Sequence, residues 1–159
     1  NWEEFFIRPC KDNKAFTGVV TTLEAYYDWV DKVQIVKYSD YGSSEGVDFD
    51  LDEEVMVSPV QRIYREVRFY IVDGKIATHS TYRMGNKTKY IGENFTDPDA
   101  IALVNHVIGL WQPDEAFVID VALVESGYKV IEINCINCAG LYAGDVVKLV
   151  GSLNQLLEG

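Results

Sequence analysis

In the stretch FVIDVALVESGYKVIEIN, residues 117 to 134, three polar side chains interrupt two otherwise apolar runs: Asp120, Glu132 and Asn134. Side chains alternate across a strand, so Glu132 and Asn134 share one face while Ile131 and Ile133 take the other. Glu125, Ser126 and Gly127 read as a three-residue loop with Gly127 in the left-handed position; Val124 then pairs with Tyr128, and Asp120 falls opposite Glu132. Like charges placed this way destabilise a sheet unless a cation or a proton intervenes. A hard divalent cation resolves the conflict, because Mg²⁺ takes carboxylate and amide oxygens at roughly 2.0 to 2.1 Å and keeps waters or substrate phosphates as its other ligands. Asp120, Glu132 and Asn134 are therefore candidate metal ligands, against the plainer reading of a solvated sheet face.

A second signal is the distribution of positive charge. The 159-residue chain carries a formal charge of −11, which disfavours extended contact with a nucleic-acid backbone. Yet residues 62 to 89 hold seven of the fourteen Lys and Arg (Arg62, Arg65, Arg68, Lys75, Arg83, Lys87, Lys89) beside only two acids, Glu66 and Asp73. An anionic ligand belongs there, and with a magnesium-type site close by, that points to a nucleoside triphosphate.

The elements that must position these groups follow from pattern. A strand near 4 to 8 runs into the polar turn PCKDNKAFTG, with Arg8 and Lys14 flanking it, and a short strand follows near 17 to 21. Thr21 and Glu24 suit a capping box for a helix through Val33. QIVKY and EVMVSPV read as further strands, separated by the acidic, Gly- and Ser-rich loop GSSEGVDFDLDEE. REVRFYIVDGKIATHSTYR is a hairpin, because Asp73-Gly74 suits a two-residue type I′ turn that pairs Val72 with Lys75. Strict alternation from that turn puts Val67, Phe69, Ile71, Ile76 and Tyr82 on a core face and Glu66, Arg68, Tyr70, His79, Thr81 and Arg83 on the other. TDPDAIALVNHVIGLW is a helix capped by Thr or Asp with Pro98 in its first turn, and a last helix starts near Asp145 with Val146, Leu149, Val150, Leu153 and Leu157 on one side. The order is α+β with mostly antiparallel strands.

With these residues in view, the chain resembles the ATP-grasp fold of carboxylate ligases. FVIDVALVESGYKVIEIN matches that family's Asp, Gly-containing turn and Glu-x-Asn, followed by the loop NCINCAGLY; FFIRPCKDNKAFTGVV resembles its strand, phosphate-covering loop and return strand, with Arg8 where many members have Lys. VMVSPV is similar to the strand leading to the adenine hinge, and the RP..K.FTG and E.R patterns look most like a group, many of whose members are phage-encoded, named for an arginine and two lysines. The resemblance implies two small α+β lobes enclosing an ATP cleft: a smaller lobe over 1–60, and a larger lobe over 61–159 that carries the metal site. It implies ATP-dependent ligation of a carboxylate to an amine or similar nucleophile through an acyl phosphate. Asp120, Glu132 and Asn134 would bind Mg²⁺, Arg8, Lys14, Glu66 and Val60 would bind ATP, and Arg68 and Arg83 would be catalytic. The substrates would be small-molecule or peptide carboxylates and amines. Val118 stands where many related ligases carry an Arg, and the amino-terminal domain that often precedes the fold is expected to be absent from these residues, so a non-catalytic nucleotide-binding module is the alternative.

Other features carry less. Cys10, Cys135 and Cys138 are an odd, sparse set that fits a reducing, cytoplasmic setting. Cys135-x-x-Cys138 lacks the partners for a four-ligand zinc site. His79 is placed on the polar hairpin face, and His106 is expected to be a partly buried structural residue. No apolar run approaches the roughly 20 residues of a membrane helix. The start at Asn1, close to an apolar strand, reads as a processed or truncated piece, and whether copies form a homo-oligomer stays open.

Overall fold

A computed structural model describes residues 3–11, 16–38, 52–95, 97–137 and 139–158. The chain divides into two compact units, Asn1–Val60 and Gln61–Gly159.

In the first unit the alternation of FFIRP makes β1 (Phe5–Pro9) the middle of a three-stranded antiparallel sheet, with β2 (Val19–Thr21) and β3 (Val55–Pro59) on its two sides. Phe5, Ile7 and Pro9 are buried, while Phe6 and Arg8 point to the less covered face. Helix α1 (Leu23–Tyr38) contributes Tyr26, whose ring meets Phe5 edge-on at 6.2 Å, and the buried Val33. Two expectations are corrected here. The cap is Thr22, whose hydroxyl accepts from the Ala25 amide at 3.2 Å; Thr21 is still paired with Phe5 in the ladder, so the helix begins one residue later. Residues 34–38, read as a strand, continue α1. Extending an existing helix adds one hydrogen bond per residue without a new nucleus, which outweighs the weak strand preference of Ile35 and Val36.

The second unit is a five-stranded antiparallel sheet in the order β6-β5-β4-β7-β8. Its strands are β4 (Arg65–Val72), β5 (Lys75–Met84), β6 (Lys87–Ile91), β7 (Ala116–Val124) and β8 (Gly127–Cys135). Helix α2 (Pro98–Leu110) starts at Asp97, whose side chain accepts from the Asp99 amide at 3.1 Å, with Pro98 in the first turn where a missing N–H costs nothing. Its Ala100, Val104 and Ile108 pack on Val67, Phe69, Ile71, Phe117, Ile119 and Val121, forming the core. The opposite face of the central strands is also buried at Tyr70, Val118 and Ala122. Helix α3 (Val146–Glu158) packs over β4 and β5 on that second unit. Leu149 and Leu153 of the expected apolar side are half-buried, together with Ser152 and Leu156, whereas Val146, Val150 and Leu157 are exposed. His106 is exposed as well, contrary to expectation, because it sits on the outer side of α2.

The first hairpin turns as expected. Asp73 and Gly74 have φ of 49° and 66°, and Val72 pairs with Lys75. The face assignment beyond the turn is corrected by two bulges. Ile71 pairs with Ile76 but Tyr70 pairs with Thr78, so Ala77 is an extra residue that flips everything after it. His79 therefore pairs with Phe69 and stacks on its ring at 5.0 Å, and Thr81 pairs with Val67, both on the core face. Tyr82 moves to the face of Arg68. A second shift at Tyr82 returns Arg83 to its expected face, where it pairs with Glu66 two residues out of the register set by the turn.

The second hairpin differs in the opposite way. Its turn is two residues, Glu125-Ser126, with Val124 paired to Gly127 and Leu123 to Tyr128, so the three-residue loop is corrected. Gly127 does adopt a positive φ of 98°. A bulge at Ile131 then restores the register, and Asp120 does pair with Glu132.

Candidate active site

The bulges in β5 and β8 gather polar groups on one face of the second unit's sheet. Asp120 on β7 lies opposite Glu132 on β8, and Val118 opposite Asn134, so the amide is diagonal to Asp120. On the other side of β7, Asp120 pairs with Arg68 on β4. Arg68 Nε donates to Asp120 Oδ1 at 2.8 Å and Nη2 donates to Oδ2 at 2.7 Å, a fork-to-carboxylate geometry. Asp120 is only 4% exposed. The guanidinium carbon lies 5.7 Å from the centroid of the Tyr82 ring and 5.2 Å from that of Tyr142. Hydrogen bonding to Asp120 holds the Arg68 pKa above its usual value, offset in part by burial.

Arg83 donates to Glu66 at 3.3 Å at the next position along the same face; Glu66 is buried while the Arg83 side chain is half-exposed. Tyr82 lies among these groups, and its phenol is pushed up, first by burial and then by the charge of Asp120 and the hydrogen bond with Glu66. Tyr70 is pushed up to about 12, by burial chiefly, with Arg68 opposing.

A loop over 139–145 crosses this face and is fastened by three buried hydroxyls. Tyr70 Oη donates to the Gly140 carbonyl, Ser80 Oγ accepts from the Ala143 amide at 3.1 Å, and Thr78 Oγ1 accepts from the Asp145 amide at 2.8 Å. Thr78 in turn donates to Glu93 at 2.7 Å, and Lys148 donates to the other Glu93 oxygen. Burial alone would raise the Glu93 pKa, but the bonds from Lys148 and Thr78 outweigh it and hold the carboxyl below its usual range. Between the fastened Gly140 carbonyl and Ala143 amide, Tyr142 has φ of 54°, a left-handed conformation unfavourable for a side chain of this size. Its ring is stacked between Tyr82 at 5.0 Å and Tyr90 at 5.2 Å.

The expected residues thus fall into three groups. Asp120, Glu132, Asn134, Arg68, Glu66 and Arg83 come together on one sheet face. Arg8 lies on β1 opposite Met56 and Val60 follows β3, both in the first unit, with Val60 exposed. Lys14 and Cys138 lie outside the described residues. Cys135, next to Asn134, is an exposed free thiol. His79 faces away from the site, stacked on Phe69, and burial lowers its pKa. Sequence reading did not single out Tyr142, Tyr90, Thr78 or Ser80. The alternating Tyr70, Thr78, Ser80 and Tyr82 in strands otherwise fit for a core are a signal, but only the bulge at Ala77 puts them on one face.

As a donor set, two carboxylates and an amide oxygen suit a hard cation such as Mg²⁺. Among the described residues there is no cluster of three or more His, Cys, Asp or Glu, so the amide of Asn134 is needed to complete the set. A cavity of about 390 Å³ beside the 73–74 turn, lined by residues that include Lys75, Lys148 and Gln155, shares none of these side chains.

Comparison with known proteins agrees with this geometry at the level of fold. A family model for an ATP-grasp domain, the third family of the clade named for an arginine and two lysines, matches residues 1–153. No curated protein matches the sequence. Solved structures of similar fold include the D-cycloserine synthetase DcsG (14% identity, TM-score 0.58, covering 98% of this chain and 56% of that one). D-alanine–D-alanine ligase from Bacillus anthracis matches at 14% identity and TM-score 0.59, covering 98% and 52%. The ATP-grasp ligase PsnB, solved with its minimal precursor, matches at 12% identity and TM-score 0.56, covering 98% and 48%. The chain spans about half the length of these structures.

Proposed function

The chain belongs to the ATP-grasp domain family, and from that premise we propose that it takes part in the ATP-dependent ligation of a carboxylate to an amine or similar nucleophile. The observation that carries this reading is the juxtaposition of Asp120, Glu132 and Asn134 with the Arg68 fork on one sheet face. In the reaction, a substrate carboxylate oxygen attacks the γ-phosphorus of ATP; the bond to ADP breaks and an acyl phosphate forms. The nucleophile then adds to the acyl carbon, loses its proton to solvent, and phosphate leaves. No enzyme nucleophile is required, so the protein acts by positioning and charge neutralisation.

Within this reading Asp120, Glu132 and Asn134 hold magnesium, and the bound ion supplies charge neutralisation at the phosphates. Arg68 uses two of its five N–H groups on Asp120, leaving others for anionic oxygens of the transferring group. Arg83, half-exposed beside Glu66, serves the same negative charge, and Glu66 meets the ribose. Arg8 and Lys14 contact phosphates from a smaller lobe over 1–60, and Val60 borders the adenine. The acceptors are small-molecule or peptide carboxylates and amines, and the setting is cytoplasmic; no helix of the described residues is long and apolar enough to cross a membrane.

The test is ADP release measured across pools of amino acids and peptides. Release that requires both an added carboxylate and an added amine is the expected result. Nucleotide binding with no release in any pool would replace the ligase with a non-catalytic nucleotide-binding module.

A further inference from the structure

Phosphoryl-transfer sites commonly neutralise the phosphates with two divalent cations a few ångströms apart. The Asp120 surroundings suggest a different arrangement. Both oxygens of this carboxylate are already engaged by Arg68, at 2.8 and 2.7 Å, and 4% of the residue is exposed. The guanidinium is further held beside the rings of Tyr82 and Tyr142. Tyr142 is itself fixed in a left-handed conformation within a loop fastened at Gly140, Ala143 and Asp145 by the hydroxyls of Tyr70, Ser80 and Thr78. A guanidinium gripped in this way is a permanent and immobile positive charge, since arginine does not deprotonate in proteins and its planar fork is already oriented.

Counting charge on the face gives the consequence. Asp120 and Glu132 contribute two negative charges, Asn134 none, and Arg68 one positive charge, so the net charge of the set is −1. One divalent ion can share Asp120 with the guanidinium, but a second would crowd a third cationic group around the same two oxygens, at the cost of like-charge repulsion in a poorly solvated place. We propose that Arg68 takes the place of one divalent cation, so that the chain holds a single metal ion with its nucleotide, at Glu132 and Asn134 with Asp120 shared between ion and guanidinium. Arg68 then links Asp120 to the phosphate oxygens as a second metal ion would, through N–H groups instead of metal–oxygen bonds. The inference rests on the nucleotide and metal reading above.

Equilibrium dialysis of the 159-residue chain with Mn²⁺ and a non-hydrolysable ATP analogue, with metal and nucleotide both measured on each side of the membrane, separates the two ideas. The expected result is one Mn²⁺ and one nucleotide retained per chain. Arg68→Met, verified as folded by circular dichroism, should retain two Mn²⁺ per nucleotide, and Arg68→Lys, which keeps a charge at this place, should stay at one. Two ions per nucleotide in the wild-type chain would overturn this inference while leaving the nucleotide and metal reading intact. A folded Arg68→Met chain that retains only one ion would overturn it as well. Retention of neither metal nor nucleotide by the wild type would remove the underlying reading and this inference together. If Arg68→Met does not fold, the wild-type count and Arg68→Lys still decide the matter.

Discussion

Asp120 and Glu132 are partners across the same two strands, yet their surroundings are opposite in kind. Asp120 is buried and gripped by Arg68, whose guanidinium lies beside Tyr142 of a loop tied down through three hydroxyls. Glu132 and Asn134, both on the edge strand β8, are exposed. The protein therefore neutralises one carboxylate internally and leaves the other to be neutralised from outside. Stability and ligand affinity should separate along this line: the buried half belongs to the folded state as much as to the site, while the exposed half is spare for a ligand.

The largest effect expected is in the buried half. Arg68→Met leaves Asp120 without its partner in a poorly solvated place, and breaking a buried pair from one side typically costs about 3 to 5 kcal/mol. The urea midpoint should fall accordingly with an unchanged slope; a midpoint within error of the wild type would show that the pair is solvated and would erase the contrast between the halves. Ser80→Ala is the next test. It removes the acceptor of the Ala143 amide and, if that amide finds no substitute, costs about 1 to 3 kcal/mol. Hydrogen exchange at Ala143 should accelerate while exchange in β8 does not change, because the loop, not the strand, loses its anchor.

His79 sharpens the contrast from the other face of β5. Burial lowers its pKa below 6.5, so the unfolded chain takes up a proton before the folded one does. Its contribution to stability is fully present above pH 6.5 and is lost as the pH falls through the lower folded-state value. A pH series of denaturant midpoints should show this decline, and His79→Phe, which keeps the stack on Phe69, should flatten it below pH 6.5. A decline of the same size in the variant would assign the slope to other groups. The smallest effect on folding is expected in the exposed half: Glu132→Gln should change stability by no more than about 0.5 kcal/mol.

How much of this arrangement is legible in the sequence differs between the two hairpins. Asp73-Gly74 announces its turn because type I′ geometry requires positive φ at both positions, yet the pairing beyond it is rewritten at Ala77. A bulge has no compositional mark comparable to a turn dipeptide, so His79 and Tyr82 exchange faces unseen. In the β7–β8 hairpin the turn is one residue shorter than its Gly suggests, and the bulge at Ile131 compensates, so the opposition of Asp120 and Glu132 is recovered through a different pairing. Strand β6 is also signalled weakly: the Gly85-Asn86 turn precedes KTKYI, whose lysines dilute the strand pattern. The partnership of Arg68 with Asp120 depends on β4 lying next to β7, a pairing between residues 52 apart in the chain that no local pattern encodes. The polar triad, by contrast, is visible because carboxylates and an amide are out of place in two apolar runs.

The most direct test of the site is calorimetric titration of ATP into the wild-type and Glu132→Gln chains, each with and without Mg²⁺. The account predicts binding to the wild type that depends on Mg²⁺, and loss of that dependence in Glu132→Gln at an unchanged melting temperature. Binding that is the same in both chains, or indifferent to Mg²⁺ in the wild type, would contradict the assignment of this sheet face to a metal-bound nucleotide.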